Sequence, residues 1–251
     1  MKVWHLDSQY WDLSQRTPQN SPDVDGQYYS ERLTDGISNM WMGLTYFPDG
    51  VSTTMHAEDT DKTILITRGV AKITTPTSVF YAHAHDLILF PSKVEHSYGA
   101  AADVDGSRIG VEFIETKIVE EGAAEHPYAH QSDQVILWHT DTSTLPFEKR
   151  TMQNFPNSAG PCTSERYTDN LSRMWSGMTF FPMGSGTKYH THTQDQICYV
   201  TQGVCECYND DMKVYAGPGD LVLFEKGEPH YHGAAEGHIA EHLAWLMHDY
   251  N

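Results

Sequence analysis

Apolar and polar positions along the chain fall into short alternating stretches rather than long amphipathic ones. KYHTH at 188–192, QICYVTQ at 196–202, MKVYA at 212–216 and LVLF at 221–224 are each followed by Gly, Pro, Asn or Asp within a few residues. Such runs predict β-strands closed by tight turns. No segment sustains the 3.6-residue rhythm of a long helix. Many short strands with turn residues between them predict an all-β chain built as a closed or nearly closed antiparallel barrel. EEGAAEHPYAHQSDQ, from Glu120, carries no apolar rhythm and reads as a linker.

The pattern is written twice. SERLTDGISNMWMGLTYFPDG from Ser30 aligns without a gap to SERYTDNLSRMWSGMTFFPMG from Ser164, a shift of 134 positions. Trp4 and His5 match Trp138 and His139, Arg16 matches Arg150, DLILF matches DLVLF, and His96 matches His230. A period this long exceeds any solenoid repeat, so each copy is expected to be a self-sufficient domain, one over 1–134 and one over 135–251.

Composition narrows the partners. The 251 residues carry 16 basic and 34 acidic side chains, a formal charge of −18. That charge repels phosphate backbones and anionic lipid surfaces, so neither nucleic acid nor membrane is an expected partner. The opening stretch MKVWHLDSQYWDL holds no apolar run of signal-peptide or anchor type, and no stretch reaches transmembrane length. Four cysteines occur, all in the second copy, and Cys205 and Cys207 sit too close along one strand to bridge well. A reduced, cytoplasmic setting is expected.

Candidate chemistry is concentrated in the second copy. Gly184 is followed after five residues by His190, after one more by His192, after three by Gln196 and after six by Gly203. On a strand, residues two apart face one side, so His190 and His192 share a direction. Gly203 would end the next strand and bring Gln196 back beside them. Gly219, Gly227 and His230 can return a third imidazole from a later strand, and His232, two further on, shares its face. Taken singly, His5, His126, His130, His139, His238, His242 and His248 read as ordinary surface or core residues.

These two stretches resemble the signature motifs of the cupin superfamily, whose barrels hold one metal ion through three His and usually one Glu. The resemblance covers both copies and implies two tandem cupin barrels (double-stranded β-helix, or jelly roll). It implies one divalent ion per chain (Fe, Mn, Ni, Co or Zn) held by His190, His192, Gln196 and His230, with Gln196 where the family usually has Glu. Glu225 and Ala234 also depart from the family pattern without removing a ligand. In the first copy the same positions read His56, Glu58, Lys62 and His96. A Lys ammonium has no lone pair to give, so a Glu58–Lys62 ion pair would fill the space of the ion; the alternative is a second site using His56, Glu58 and His96 with Lys62 turned away.

Neutral ligands leave the ion its full charge, which favours Lewis-acid polarisation of a substrate oxygen. The set is similar to that of the bicupin isomerase of the bacilysin pathway, of cupin hydroxynitrile lyases and of uronate-processing cupins. An isomerase or lyase acting on a small oxygenated molecule is therefore expected, with His232 as proton-transfer base and Arg173, or more weakly Lys188, as anchor for a substrate carboxylate. An Fe-dependent dioxygenase of the quercetinase or diketone-cleaving kind, and a small-molecule-binding barrel without catalysis, are the alternatives. Trp41 and Trp175 read as core or subunit contacts, and an open barrel edge is consistent with a homodimer.

Overall fold

The computed structural model describes residues 1–6, 13–101, 110–119, 132–141, 145–152 and 156–247. The linker expected from Glu120 falls largely outside them, as do His126, His130 and His248. Among the described residues the chain is almost wholly β, with two single-turn 3-10 helices at Leu13–Gln15 and Phe147–Lys149.

Two compact units form, and they do not follow the boundary at 134 and 135. One comprises Met1–Tyr10, Thr142–Asp169 and Met174–Asn251; the other comprises Trp11–Asp141 and Asn170–Arg173. The cause is an exchange of lead-in strands. Lys2–His5 pairs antiparallel with Asp220–Phe224, and Ile136–His139 pairs with Asp86–Phe90. Each strand is capped by the same contact, His5 Nδ1 to Asp220 at 2.6 Å and His139 Nδ1 to Asp86 at 2.6 Å.

In the unit carrying the second repeat, a six-stranded sheet runs in the order Lys2–His5, Asp220–Phe224, Gln196–Gly203, Ala240–Met247, Met174–Phe181, Thr163–Arg166. A five-stranded sheet contains Cys205–Tyr208 between Lys213–Ala216 and Tyr231–Ala234. Phe181, Val200, Val222 and Phe224 lie in the core between inward faces. The other unit is built alike around Phe47, Ile64, Ile73 and Phe113. Leu87 to Phe90 are all buried, as a continuous apolar run should be, and Asp86 ahead of them is buried beneath its contact with His139.

Gly203 bends the chain from one sheet into the other. It has φ +74°, and a Cβ there would lie 2.0 Å from the Ile239 carbonyl oxygen, so only glycine fits. A β-bulge precedes it: Thr201 drops out of the pairing between Val200 and Gln202. The freed hydroxyl donates to Glu241 at 3.3 Å, and Glu241 pairs with Arg150. The other unit repeats this, with Thr67 donating to Glu112 at 3.0 Å and Arg16 pairing with Glu112 at 2.5 Å. Gly69 faces Val111 and Gly203 faces Ala240, so in the last strand the repeats correspond with a shift five residues smaller than elsewhere.

Candidate metal centre

His190 and His230 meet across an isolated β-bridge at the mouth of the second repeat's barrel. KYHTH is not the continuous strand expected: Gly186–Thr187 is extended, His190 makes the single bridge, and His192 lies in irregular chain. On a regular strand, side chains two residues apart stand about 7 Å apart and nearly parallel. Here the chain curls, and His190 Nε2 lies 3.1 Å from His192 Nε2.

The proton positions follow from the hydrogen bonds. His190 Nδ1–H donates to the Lys188 carbonyl at 2.8 Å, and His230 Nδ1–H donates to the Glu228 carbonyl at 2.8 Å. A carbonyl only accepts, so Nδ1 carries the hydrogen and Nε2 keeps its lone pair. His230 Nε2 is then 3.2 Å from Gln196 Oε1, one acceptor facing another. The donor atoms of His190, His192 and His230 lie within 4.8 Å of one another. Acceptors gathered this closely repel unless a cation sits among them, so the quartet fits a divalent ion. Phe224 stacks on His230 at 4.1 Å and holds that ring in place. Burial pushes the His230 imidazole down to about 4 and lowers that of His190 against the opposing pull of the Lys188 carbonyl; both are neutral, as ligands must be.

A cavity of about 330 Å³ opens on these ligands. Its lining includes His190, His192, Gln196 and His232, the polar Ser164, Thr179 and Thr187, and the apolar Trp175, Leu246 and Met247. Trp175 packs against the barrel core, as its presence in both repeats suggests, and also lines this cavity. Arg173 does not line this cavity, and exposed Lys188 donates instead to the Pro156 carbonyl at 2.8 Å. The arginine that does line it is Arg166, paired with Asp169 at 3.1 Å. Arg166 has a counterpart in Arg32, and a residue present in both repeats offers no reason to be singled out. His242 likewise carries no signal of its own in the sequence, yet it is 1% exposed, with its ring 5.0 Å from that of His232.

In the first repeat the same frame holds a different charge pattern. His56 and His96 form the equivalent bridge and donate Nδ1–H to Thr54 and Val94. Lys62, only 1% exposed, places its ammonium 2.7 Å from Glu58 and 3.2 Å from the Tyr98 hydroxyl. Burial raises the Glu58 carboxyl, but Lys62 and then Lys117 outweigh it and hold it below the usual range. The ammonium thus lies within reach of the carboxylate, as the ion-pair alternative expects. Changing Glu58→His with Lys62→Gln recreates the second repeat's ligand set, and the dialysed variant is expected to hold one equivalent more metal than its parent by elemental analysis. An unchanged metal content would show that something other than this pair keeps the ion out.

Buried neutral imidazoles also set an acid limit on the metal-free protein. Burial, then the Lys62 charge, pushes His96 down to about 3, and burial pushes His242 down to about 4, whereas the unfolded chain titrates near 6.5. Below about pH 6.5 the unfolded state binds more protons than the folded one, so stability is full above that pH and falls toward about pH 4. Thermal melts of the apo protein should be flat from about pH 8 to 7 and decline from about 6.5 to 4. His242→Phe should flatten that decline; a melting temperature indifferent to acid would refute the reading.

Residues 177–246 match the Cupin domain family. The fold is that of the cupins, and the family match falls within the second repeat. An (R)-mandelonitrile lyase from Granulicella tundricola is 40% identical over 70 residues, 28% of this chain and 53% of that protein. The chain thus matches about half the length of that relative. Among solved structures, a cupin 2 conserved barrel domain protein from Leptotrichia buccalis superposes with TM-score 0.64 at 13% identity, over 98% of this chain and 96% of that one. A salicylate 1,2-dioxygenase from Pseudoaminobacter salicylatoxidans, solved as a mutant, gives TM-score 0.67 at 11% identity, over 86% of this chain and 76% of that one.

Proposed function

We propose that this chain is a metal-dependent lyase that breaks a bond next to a hydroxyl-bearing carbon of a small oxygenated molecule, α-hydroxynitriles being the first class to test. The observation that carries it is three imidazoles and one amide oxygen gathered at one place, with His190, His192 and Gln196 lining a largely apolar cavity. The partial likeness to a mandelonitrile lyase supports the reaction class.

When bound by His190, His192, Gln196 and His230, a divalent ion supplies Lewis-acid polarisation of a substrate oxygen. The chain's own residues do the rest. Burial, then the neighbouring imidazoles, pushes His232 well below the ordinary histidine value, so at neutral pH it is a free base. It takes the hydroxyl proton as the carbon–carbon bond to the nitrile breaks and the carbonyl forms, and it returns that proton to the departing cyanide. Trp175, Leu246 and Met247 receive the organic substituent and exclude water. Arg166, at the cavity wall, offers a charge-assisted donor to a polar substituent.

The test is benzaldehyde release from mandelonitrile by the purified chain, with and without chelator, in an oxygen-electrode cell. Chelator-sensitive release without oxygen uptake is expected. Oxygen consumption with a diketone or flavonol, and none of the cleavage, would replace this proposal with the dioxygenase reading.

A further inference from the structure

Behind the quartet, the core of the second repeat's barrel departs from its sister in one consistent way. Strand register makes Ile64, Tyr98 and Phe113 of the first repeat the counterparts of Cys198, His232 and His242. Ala71 and Ile73 likewise correspond to Cys205 and Cys207. An apolar and aromatic core has become one of thiols and imidazoles.

That exchange is costly as it stands. Cys198, His232 and His242 are 3%, 4% and 1% exposed. Nδ1 of both histidines is buried and meets no hydrogen-bond partner among the described residues. A buried polar nitrogen without a partner is destabilising, and such groups in native structures call for an explanation, a bound ion among them. The donor atoms of these three residues lie within 4.8 Å of one another, and the two imidazole rings stand at 79°, so they approach a common point from different directions. One sulfur and two nitrogens are the donors of a borderline-soft ion. Cys205 and Cys207, with sulfurs 3.6 Å apart, make the surrounding core rich in polarisable atoms.

We propose that Cys198, His232 and His242 form a second, inner metal site, for a divalent ion of the zinc or cobalt class. It shares no ligand with the outer quartet. The Cys198 thiol gives up its proton to solvent as the ion enters, and the sulfur and both imidazoles each donate one electron pair. Burial, which holds the free thiol protonated, makes uptake sensitive to acid. One consequence rests on the function proposed above: an ion on one ring nitrogen of His232 leaves the other as N–H, so a loaded inner site turns that base into a donor.

Cobalt(II) reports the site directly, because thiolate-to-cobalt charge transfer absorbs in the near ultraviolet and a ligand set of three His and one Gln has no such band. The full chain is titrated with cobalt(II) as the wild type, as His190→Ala with His230→Ala, and as Cys198→Ile with His242→Phe. The last pair copies the sister barrel, and thermal melts check that it folds; Cys198→Ala serves as a smaller change. The band and one equivalent of cobalt are expected to persist when the outer ligands are removed, and to vanish in both Cys198 variants. Saturated wild type without the band would overturn the proposal, as would a band that survives Cys198→Ala and so belongs to Cys205 or Cys207. Because the readout is a spectrum, it fails or succeeds independently of the lyase assay.

Discussion

Replacing His190 and His230 together with alanine is expected to remove one equivalent of bound metal and lower turnover at least about a thousandfold. The two rings face each other across a single bridge, and each is locked by an Nδ1–H bond to a carbonyl two residues upstream. Loss of either leaves three donors; loss of both leaves His192 and Gln196, too few to retain an ion against dialysis. A thousandfold corresponds to about 4 kcal/mol of transition-state stabilisation, the order that a Lewis acid at a developing alkoxide supplies. Elemental analysis beside single-turnover kinetics checks it. A variant that loses the metal yet keeps its rate would remove the ion from the reaction. A variant that keeps the metal would show that the ion is held elsewhere in the chain.

Glu112→Ala is expected to be the most destabilising single change away from that site, at about 3–5 kcal/mol, or on the order of 10 °C in melting temperature. Arg16 and Glu112 are 2% and 3% exposed, and the carboxylate also takes the hydroxyl of the bulged Thr67. Without the carboxylate, a buried guanidinium loses the charge that offsets its removal from water. Changing both partners to Met leaves no such charge and should cost much less, so the double variant separates electrostatics from packing. Glu241→Ala makes the same test in the other unit, where Arg150 and Thr201 occupy the equivalent places. Equal melting temperatures for Glu112→Ala and the double variant would mean that the pair contributes through shape alone.

How much of this can be read from the residues depends on how local the signal is. The quartet is legible because two-residue and four-residue spacings, fenced by Gly184 and Gly203, lie within one short stretch, and His230 follows a run buried on both faces. The Glu58–Lys62 contact is legible for the same reason, since substitution inside a known spacing changes charge in a way that chemistry can follow. Glu241 and His242 are not, because the last strand corresponds to its partner with a shorter shift, and a fixed slide of 134 sets Glu241 and His242 against the wrong residues. Arg173 stands out in the sequence for being peculiar to one repeat; geometry instead selects Arg166, which both repeats have. The irregular backbone at His192 leaves no trace because alternation within KYHTH is as compatible with a curl as with a strand.

Strand pairing leaves little mark on a sequence, and the exchange of Lys2–His5 and Ile136–His139 shows what that hides. A gene cut at the junction of the repeats would yield two halves, each missing a wall that the other still carries. Neither half alone would close, whereas the two synthesised together could swap their outer staves and restore both casks. A repeat in the sequence is therefore not an independent body: each borrows a strand of backbone from beyond its own bounds, and any transplant of the second repeat into another scaffold must bring the chain's opening residues along with it.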